Sequence, residues 1–414
     1  MQIRPVASLK NQREFINLRH LRVFCEVARK GGISAAAETV RLSQPAVTQA
    51  IAKLETTLDM PLFVRSSTGM FLTDGGTIFE RRANRALDLI RTGCSLALSK
   101  NGRTKNARLH PFDHLITSTQ LRALLAVGEF GNYSLAARRI GISQPSLHRV
   151  ARELEKTSGL DFYVKTAQGI ELTEPAQFLA QYTRLALSEL RQGFEELDAS
   201  KGIDSARIVV GTLPLARSFI LPKAISDLTR VRPGVSISVV DGPYNDLLHG
   251  LRHGEIDFII GALRDPVPIE DVEQQELFRD RLGIYARSGH PLTQKASVTL
   301  ADLARYPWII SREGTPTRSH FDQFFQRADM PLPGQLVESS SLVLLRGILR
   351  QSDRLTMISS HQVREEEALG QVRRIPIDLA NTERPIGITT RTDWKPTQSQ
   401  SLLIQLLHEA SNSA

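Results

Sequence analysis

The sequence predicts an α+β and α/β protein in which two tandem winged helix-turn-helix domains, each with a linker helix, precede a C-terminal α/β domain. Three observations predict it. The stretch "SQPAVTQAIAKLE" from Ser43 returns as "SQPSLHRVARELE" from Ser143. An ungapped shift of one hundred aligns residues 21–73 with 121–173 at about 17 of 53 identical positions. Beyond residue 200, short β-branched runs alternate with helical patterns, as α/β units with largely parallel sheets require.

Each element of the first copy follows from local rules. In "LRHLRVFCEVARK", Leu18, Leu21, Phe24 or Cys25, and Ala28 share one helical face, and Gly31 and Gly32 stop the helix. Ser34 is placed to cap a short second helix, in which Ala36 and Ala37 let a neighbour approach closely. Ser43 can cap the third helix, with Pro45 in its first turn, where a missing N–H costs nothing. That helix turns Val47, Ile51, Leu54 and Leu58 inward. Its other face carries Thr48, Gln49, Ala52 and Lys53. Two helices about a tight turn, the second bearing short polar side chains, have the geometry that enters a major groove. "PLFVRSSTGMFLT" then reads as a two-stranded wing turning at Gly69, and Thr73 caps a long amphipathic helix to about Ser99.

Charge separates the copies. Residues 1–110 hold 18 Lys and Arg against 8 Asp and Glu, residues 111–200 hold 9 against 11, and the remainder is balanced. The chain's net charge of +8 therefore originates in the first quarter. Such a segment fits either a polyanion binder or a solvated basic face. In the first copy Ser43, Gln44, Pro45, Ala46, Thr48, Gln49 and Lys53 line the exposed helix face, and Arg65 on the wing can reach a phosphate or the minor groove. In the second, Gln144, His148, Arg149 and Arg152 offer a possible second contact. Glu153, Glu155, Asp161, Glu171 and Glu174 surround them, a disadvantage where affinity comes from neutralised phosphates. The domains read as 18–98, then a basic linker 99–117, then 118–200, then 205–410.

Several classes are excluded or disfavoured. No run approaches the ~18 apolar residues of a membrane helix, so no membrane partner is expected and the location reads as cytoplasmic. Two cysteines make no disulfide framework and read as inert thiols. His249 and His253 fall four apart but lack a Glu and a third ligand at metalloprotease spacing. Without a phosphate loop, a nucleophile elbow or a CxxC pair, neither metal nor cofactor nor catalytic activity is expected.

The segment "LRHLRVFCEVARKGGISAAAETVRLSQPAVTQAIAKLETTLDMPLFVRSSTGMFLTDGG" closely resembles the DNA-binding domain of LysR-type transcriptional regulators. The second copy, "TQLRALLAVGEFGNYSLAARRIGISQPSLHRVARELEKTSGLDFYVKTAQGIELTEPA", resembles it again with departures, although ordinary members have one such domain. "GTLPLARSFILPKAISDLTRVRPGVSISVVDGPYNDLLHGLRHGEIDFIIGALRD" resembles the first lobe of the family's effector domain, which has a two-lobed periplasmic-binding-protein-like fold. "LGIYARSGHPL" and "TLADLARYPWIISREGTPTR" resemble its second lobe, and "RPIGITTRTDW" the return to the first. The resemblance implies lobe I at about 205–265 and 377–410 and lobe II at about 266–376. The wording is most similar to the subgroup of galactose-binding-protein regulators and some aromatic-acid regulators.

What the resemblance implies is a homodimer or homotetramer that binds double-stranded operator DNA, contacts RNA polymerase and responds to an aromatic acid or sugar-derived effector. Strand ends nominate the effector contacts: Thr212, Arg217, Ser218, Pro243, Tyr244, Ser311, Arg312, Thr315, and Ser339 with its serine neighbours. The plainer reading of these residues is surface arginines and helix-capping serines. The competing class is a solute-binding or catalytic α/β domain carrying winged-helix modules that bind protein. Only the regulator predicts operator binding that falls steeply with salt.

Overall fold

The computed structural model describes residues 15–67, 69–100, 111–380 and 382–412. Most of the expected linker, 101–110, lies outside them. The chain divides into two compact units, one holding residues up to Arg207 and the other nearly everything from Ile208 on.

The first unit runs α1 (Leu18–Lys30), α2 (Ile33–Val40), α3 (Gln44–Leu58), β1 (Phe63–Ser66), β2 (Gly69–Leu72) and α4 (Asp74–Ser99). It then repeats as α5 (Ser118–Phe130), α6 (Tyr133–Ile140), α7 (Gln144–Ser158), β3 (Tyr163–Thr166), β4 (Gly169–Leu172) and α8 (Glu174–Ser200). The positions shared by the two copies hold the scaffold together. Ser43 and Ser143 cap the third helices by accepting from the N–H of Ala46 and Ser146. One carboxylate oxygen of Glu55 accepts from the N–H groups of Leu62 and Phe63 at 2.7 and 3.4 Å, and Glu155 serves Phe162 and Tyr163 likewise. Each wing is tied to the end of the first helix, because Met70 N–H donates to Gly31 and Ile170 N–H to Gly131. A Cβ at Gly69 would stand 2.6 Å from the Gly31 carbonyl oxygen, and φ there is +147°, so only glycine fits. Thr73 and Thr173 cap the linker helices.

One expected cap is corrected. The residue before α2 is Gly32, without a side-chain cap, and Ser34 lies inside the helix. The second copy repairs this with Asn132, whose side chain accepts from Ser134 and Leu135 N–H. The expected Leu18, Leu21, Phe24, Val47, Ile51, Leu54 and Leu58 are buried, as are Leu121, Leu147 and Leu154 of the second copy, whereas Ala28 is half-buried and Phe79 of α4 joins the core without having been expected there. The edge-on ring pair Phe24–Phe63 pins the wing to α1. Helices α4 and α8 pack along their length. Lys100 at the end of α4 reaches Glu174 at the start of α8 at 4.0 Å, while Phe79 meets Phe194, so the helices are antiparallel.

The second unit contains β5 (Arg207–Thr212), α9 (Ile220–Val231), β6 (Ser236–Asp241), α10 (Tyr244–Arg252), β7 (Phe258–Ala262), β8 (Val272–Asp280) and β9 (Leu282–Arg287). It continues with α11 (Leu300–Ala304), β10 (Trp308–Ile310), α12 (Pro316–Gln326), β11 (Leu336–Glu338), α13 (Leu342–Gln351), β12 (Thr356–Ser359), α14 (Ser360–Ala368), β13 (Val372–Arg374), β14 (Arg384–Arg391) and α15 (Gln398–Asn412). Lobe I has the sheet order β6-β5-β7-β14-β8, and lobe II holds β12-β9-β13 and β10-β11.

Two expectations change here. The sheets are mixed: β5–β7 and β10–β11 are parallel, but β14 runs antiparallel to β7 and β8, and β9 antiparallel to β12 and β13. Lobe I also extends past residue 265, because β8 is its edge strand. That strand, "VEQQELFRD", is exposed along much of its length and lacks the β-branched run that signals a buried strand.

Candidate nucleic-acid interface and effector cleft

In α3 the apolar residues Val47, Ala50, Ile51, Leu54 and Leu58 face the core, which forces the remaining positions outward. Ser43, Gln44, Pro45, Gln49 and Lys53 are exposed, and Ala46 and Thr48 half-exposed. The Thr48 hydroxyl donates to the Gln44 carbonyl at 3.0 Å, leaving it as an acceptor toward an outside partner. Arg65 projects from β1, exposed. Neither Lys53 nor Arg65 has a carboxylate partner among the described residues. His20 nearby has its pKa lowered by burial and by Lys53 and Arg19, as expected in a locally positive field.

The same face of α7 is exposed at Gln144, His148, Arg149 and Arg152, but each group already has a partner. Arg149 pairs with Glu153 at 3.4 Å and Arg152 with Glu155 at 2.8 Å. His148 packs edge-on against Tyr133, and Gln144 accepts from the Ser134 hydroxyl at 2.6 Å. Electrostatically the two faces are opposites. One offers uncompensated cations, the other cations neutralised on their own helix.

In the second unit a cleft of about 100 Å³ opens between the lobes. Of the residues nominated from sequence, it is lined by Ser311, Thr315 and Ser339, the last followed by Ser340 and Ser341. The others lie elsewhere. Thr212 is fully buried in β5 with its hydroxyl on the Leu213 carbonyl. Arg217 pairs with Asp241 at 3.2 Å, and Arg312 is exposed. Ser218 and Pro243 do not line the cleft. Tyr244 does not line the cleft either, and its ring lies under the Arg264 guanidinium at 4.4 Å.

Sequence reasoning missed the cleft's most polar groups, Arg264, Thr317, Gln362 and Arg384. Arg384 donates from Nε and Nη2 to Asp280 at 3.0 and 2.9 Å, and from Nη1 to the Thr317 hydroxyl at 2.6 Å. Asp280 is inaccessible to solvent. Arg264 has its pKa lowered by burial, and its Nη1 has no acceptor among the described residues. Arg264 follows β7, at a strand end not among those nominated. Arg384 opens β14, which runs the opposite way, so its first residue lies at the same sheet edge as the ends of the parallel strands.

Other nominated chemistry is corrected or bounded. Helix α10 ends at Arg252, so His253 is in the following turn and does not share a helix face with His249. Among the described residues no group of three His, Cys, Asp or Glu could hold a metal ion. Burial pushes the Cys25 thiol far up and that of Cys94 to about 12, so neither is a thiolate near neutrality. No helix among the described residues is long and apolar enough to cross a membrane.

Known proteins match both winged-helix copies and the second unit. Residues 18–77 and 118–177 each match the model of the bacterial regulatory helix-turn-helix protein, lysR family, and 201–412 match the LysR substrate binding domain. The transcriptional regulator GalR of Pseudomonas putida is 34% identical over 92% of this chain and 93% of its own length. PcaQ of Agrobacterium fabrum is 26% identical over 72% of this chain and 96% of its own. Among solved structures, full-length OxyR of Pseudomonas aeruginosa has a TM-score of 0.52 at 24% identity, covering 71% of this chain and 94% of that one. CbnR complexed with its target DNA has a TM-score of 0.50 at 18% identity, covering 71% and 99%. The chain belongs to the LysR family: it is a DNA-binding transcriptional regulator with an effector-binding domain and two copies of the family's helix-turn-helix module.

Proposed function

We propose that the first copy reads the operator. Gln44, Thr48 and Gln49 meet base edges, Lys53 and Arg65 meet phosphates, Ser43 with Pro45 and Ala46 sets the entry of α3, and α7 makes the weaker contact. The observation that carries this reading is the contrast in pairing. Binding duplex requires α7 to give up the Arg149–Glu153 and Arg152–Glu155 pairs or to bring carboxylates toward phosphate, whereas Lys53 and Arg65 arrive uncompensated.

The effector is a small carboxylate, an aromatic acid or an acid derived from a sugar. Two guanidinium groups, Arg264 and Arg384, line the cleft, and the one carboxylate bonded to them among the described residues is the buried Asp280 that holds Arg384, which leaves the cleft net positive. Ser339, Ser340 and Ser341 bring hydroxyls and the start of α13 to the same side, which favours an anion further. Supported by GalR and PcaQ, both named as transcriptional regulators, the chain acts without catalysis, in the cytoplasm, as a homo-oligomer working with RNA polymerase.

Gel-shift titration on the DNA upstream of the protein's own gene, at one fixed salt concentration, tests the assignment. Gln49→Ala with Lys53→Ala is expected to cost at least tenfold more affinity than Arg149→Ala with Arg152→Ala. The reverse order would make the second copy the reader.

A further inference from the structure

Residues one hundred apart are equivalent in the two winged helices, so contacts between the copies reveal how the copies are related. Leu18 N–H donates to the Ser118 hydroxyl at 3.0 Å, a residue touching its own equivalent. A Cβ at Gly93 would stand 2.7 Å from the Cβ of Tyr182 and 3.6 Å from the Cα of Leu179. A Cβ at Gly193 would stand 3.1 Å from Arg82 and 3.2 Å from Phe79, which are the equivalents of Tyr182 and Leu179. Contacts that come in reciprocal pairs, with one residue meeting its own counterpart, define a two-fold relation. The copies therefore pair as two subunits of a dimer would, inside one chain.

The chemistry around this axis is not two-fold. The Arg82 side chain, 5% exposed, donates from Nη1 to Glu189 at 2.8 Å and to Gln192 at 2.9 Å, and from Nε to Glu196 at 3.1 Å. Arg85 reaches the other Glu189 oxygen at 3.0 Å. At the equivalent positions stand Tyr182 and Leu185 on one helix, and Leu89, Thr92 and Leu96 on the other. Pairing two first copies from different chains would set Arg82 and Arg85 against Leu89, Thr92 and Leu96. Pairing two second copies would set Glu189 and Glu196 against Tyr182 and Leu185. Either arrangement buries charge without its counter-charge, which is far more costly than the paired state, and only the mixed pair closes.

We propose that the two winged helices of one chain are a built-in hetero-pair, so that a single chain presents two unlike recognition helices as one reading head, and that Arg82 with Glu189 and Glu196 selects this pairing over pairing of like copies between chains. A tether this short sets a local concentration on the order of mM, which favours cis pairing. The charge cluster adds discrimination against the alternative.

Two ion pairs between the copies make the test direct: Lys100–Glu174 at 4.0 Å and Lys201–Asp59 at 3.7 Å, both within reach of a zero-length carbodiimide cross-link. An equal mixture of full chains grown in ¹⁴N and ¹⁵N medium is cross-linked and digested. Both linked peptides are expected to carry a single isotope throughout; a half share of mixed-isotope peptides means the copies pair between chains and overturns the proposal. Like-copy pairing has its own reporter, Lys100 to Asp74, because Asp74 is the equivalent of Glu174. Within one α4 those residues are about 39 Å apart, so this link can only join two chains.

The wild-type chain is expected to give no Lys100–Asp74 link at any concentration. R82L/E189L/E196L, with the cluster erased, is expected to give it at the highest concentrations in at least tenfold greater yield. R82E/R85E/E189R/E196R, with the charges exchanged, keeps the wild-type pattern. A triple variant that pairs as exclusively as wild type, or an exchanged variant that forms the Lys100–Asp74 link, removes the cluster as selector. No DNA is present, so the result stands apart from whether Gln49 reads a base.

Discussion

Replacing Arg384 by Met removes the only cation hydrogen-bonded to Asp280 among the described residues while keeping an apolar stem of similar length. Asp280 is fully buried, and its Oδ2 accepts from Arg384 Nε and Nη2 at 3.0 and 2.9 Å. What remains after the substitution is a carboxylate in a dry site with the Ser359 hydroxyl as its remaining side-chain donor. Breaking a buried pair in this way costs about 3–5 kcal/mol. For a domain of some 200 residues, with ~2–4 °C of midpoint per kcal/mol, the expected loss is about 6–20 °C.

The assay is selective because both tryptophans, Trp308 and Trp394, lie in the second unit, so fluorescence excited at 295 nm follows the effector domain alone. R384M/D280L, which removes both charges, is expected to regain most of the loss, since apolar replacement of a buried pair is often neutral. A loss below about 1 kcal/mol for Arg384→Met would refute the reasoning, as would a double variant less stable than the single, because neither is compatible with an uncompensated Asp280 as the source of the cost.

The remaining predictions concern the reading face and acid stability. Gln49→Ala is expected to lose about 1–3 kcal/mol on the cognate operator and almost nothing on random duplex, the mark of a base contact; equal loss on both, measured by gel shift, would reassign Gln49 to the backbone. Lys53→Ala and Arg65→Ala should weaken both DNAs alike and each flatten the salt slope by about one, read from titrations between 50 and 200 mM salt. His290 is buried with Nδ1 accepting from Leu292 N–H and Nε2 facing the Asp353 carbonyl, and burial lowers its pKa. The unfolded chain therefore takes up a proton that the folded chain refuses, and the contribution of His290 to stability is present above its ordinary value near 6.5 and lost as pH falls below it. His290→Asn, which keeps an acceptor for Leu292, should flatten the fall in the tryptophan-detected melting midpoint between pH 7.5 and 5; an unchanged fall would assign it to other groups.

The winged helices are legible in the sequence because their signals are local. Caps at Ser43 and Thr73, the Pro45 turn and the apolar spacing of α3 are each set by residues within a few positions, and duplication displays them twice. Glu55 and Glu155 are visible as a shared residue, but their role of holding the start of the wing needs the fold, since the acceptor and its donors lie seven and eight residues apart around a bend. The effector cleft is half legible. Ser311, Thr315 and Ser339 follow strands, as a strand-end argument expects, whereas Arg384 is the first residue of one and comes from a segment 120 residues beyond Arg264. Thr212, at an apparently suitable strand end, is covered on all sides. Edge strand β8 escapes for the opposite reason: its polar sequence carries no burial signal because little of it is buried.

The antiparallel pairing of α4 with α8 also bears on orientation. Two identical subunits on a palindrome look the same from either end, so such a complex has no front or back on the double helix. A reading head of the kind proposed above, with Gln49 and Lys53 on one half and Arg149 and Glu153 on the other, would have a head and a tail. Each such head would lie on an asymmetric half-site in one sense only, and inverting that half-site in place would turn the head around on the double helix.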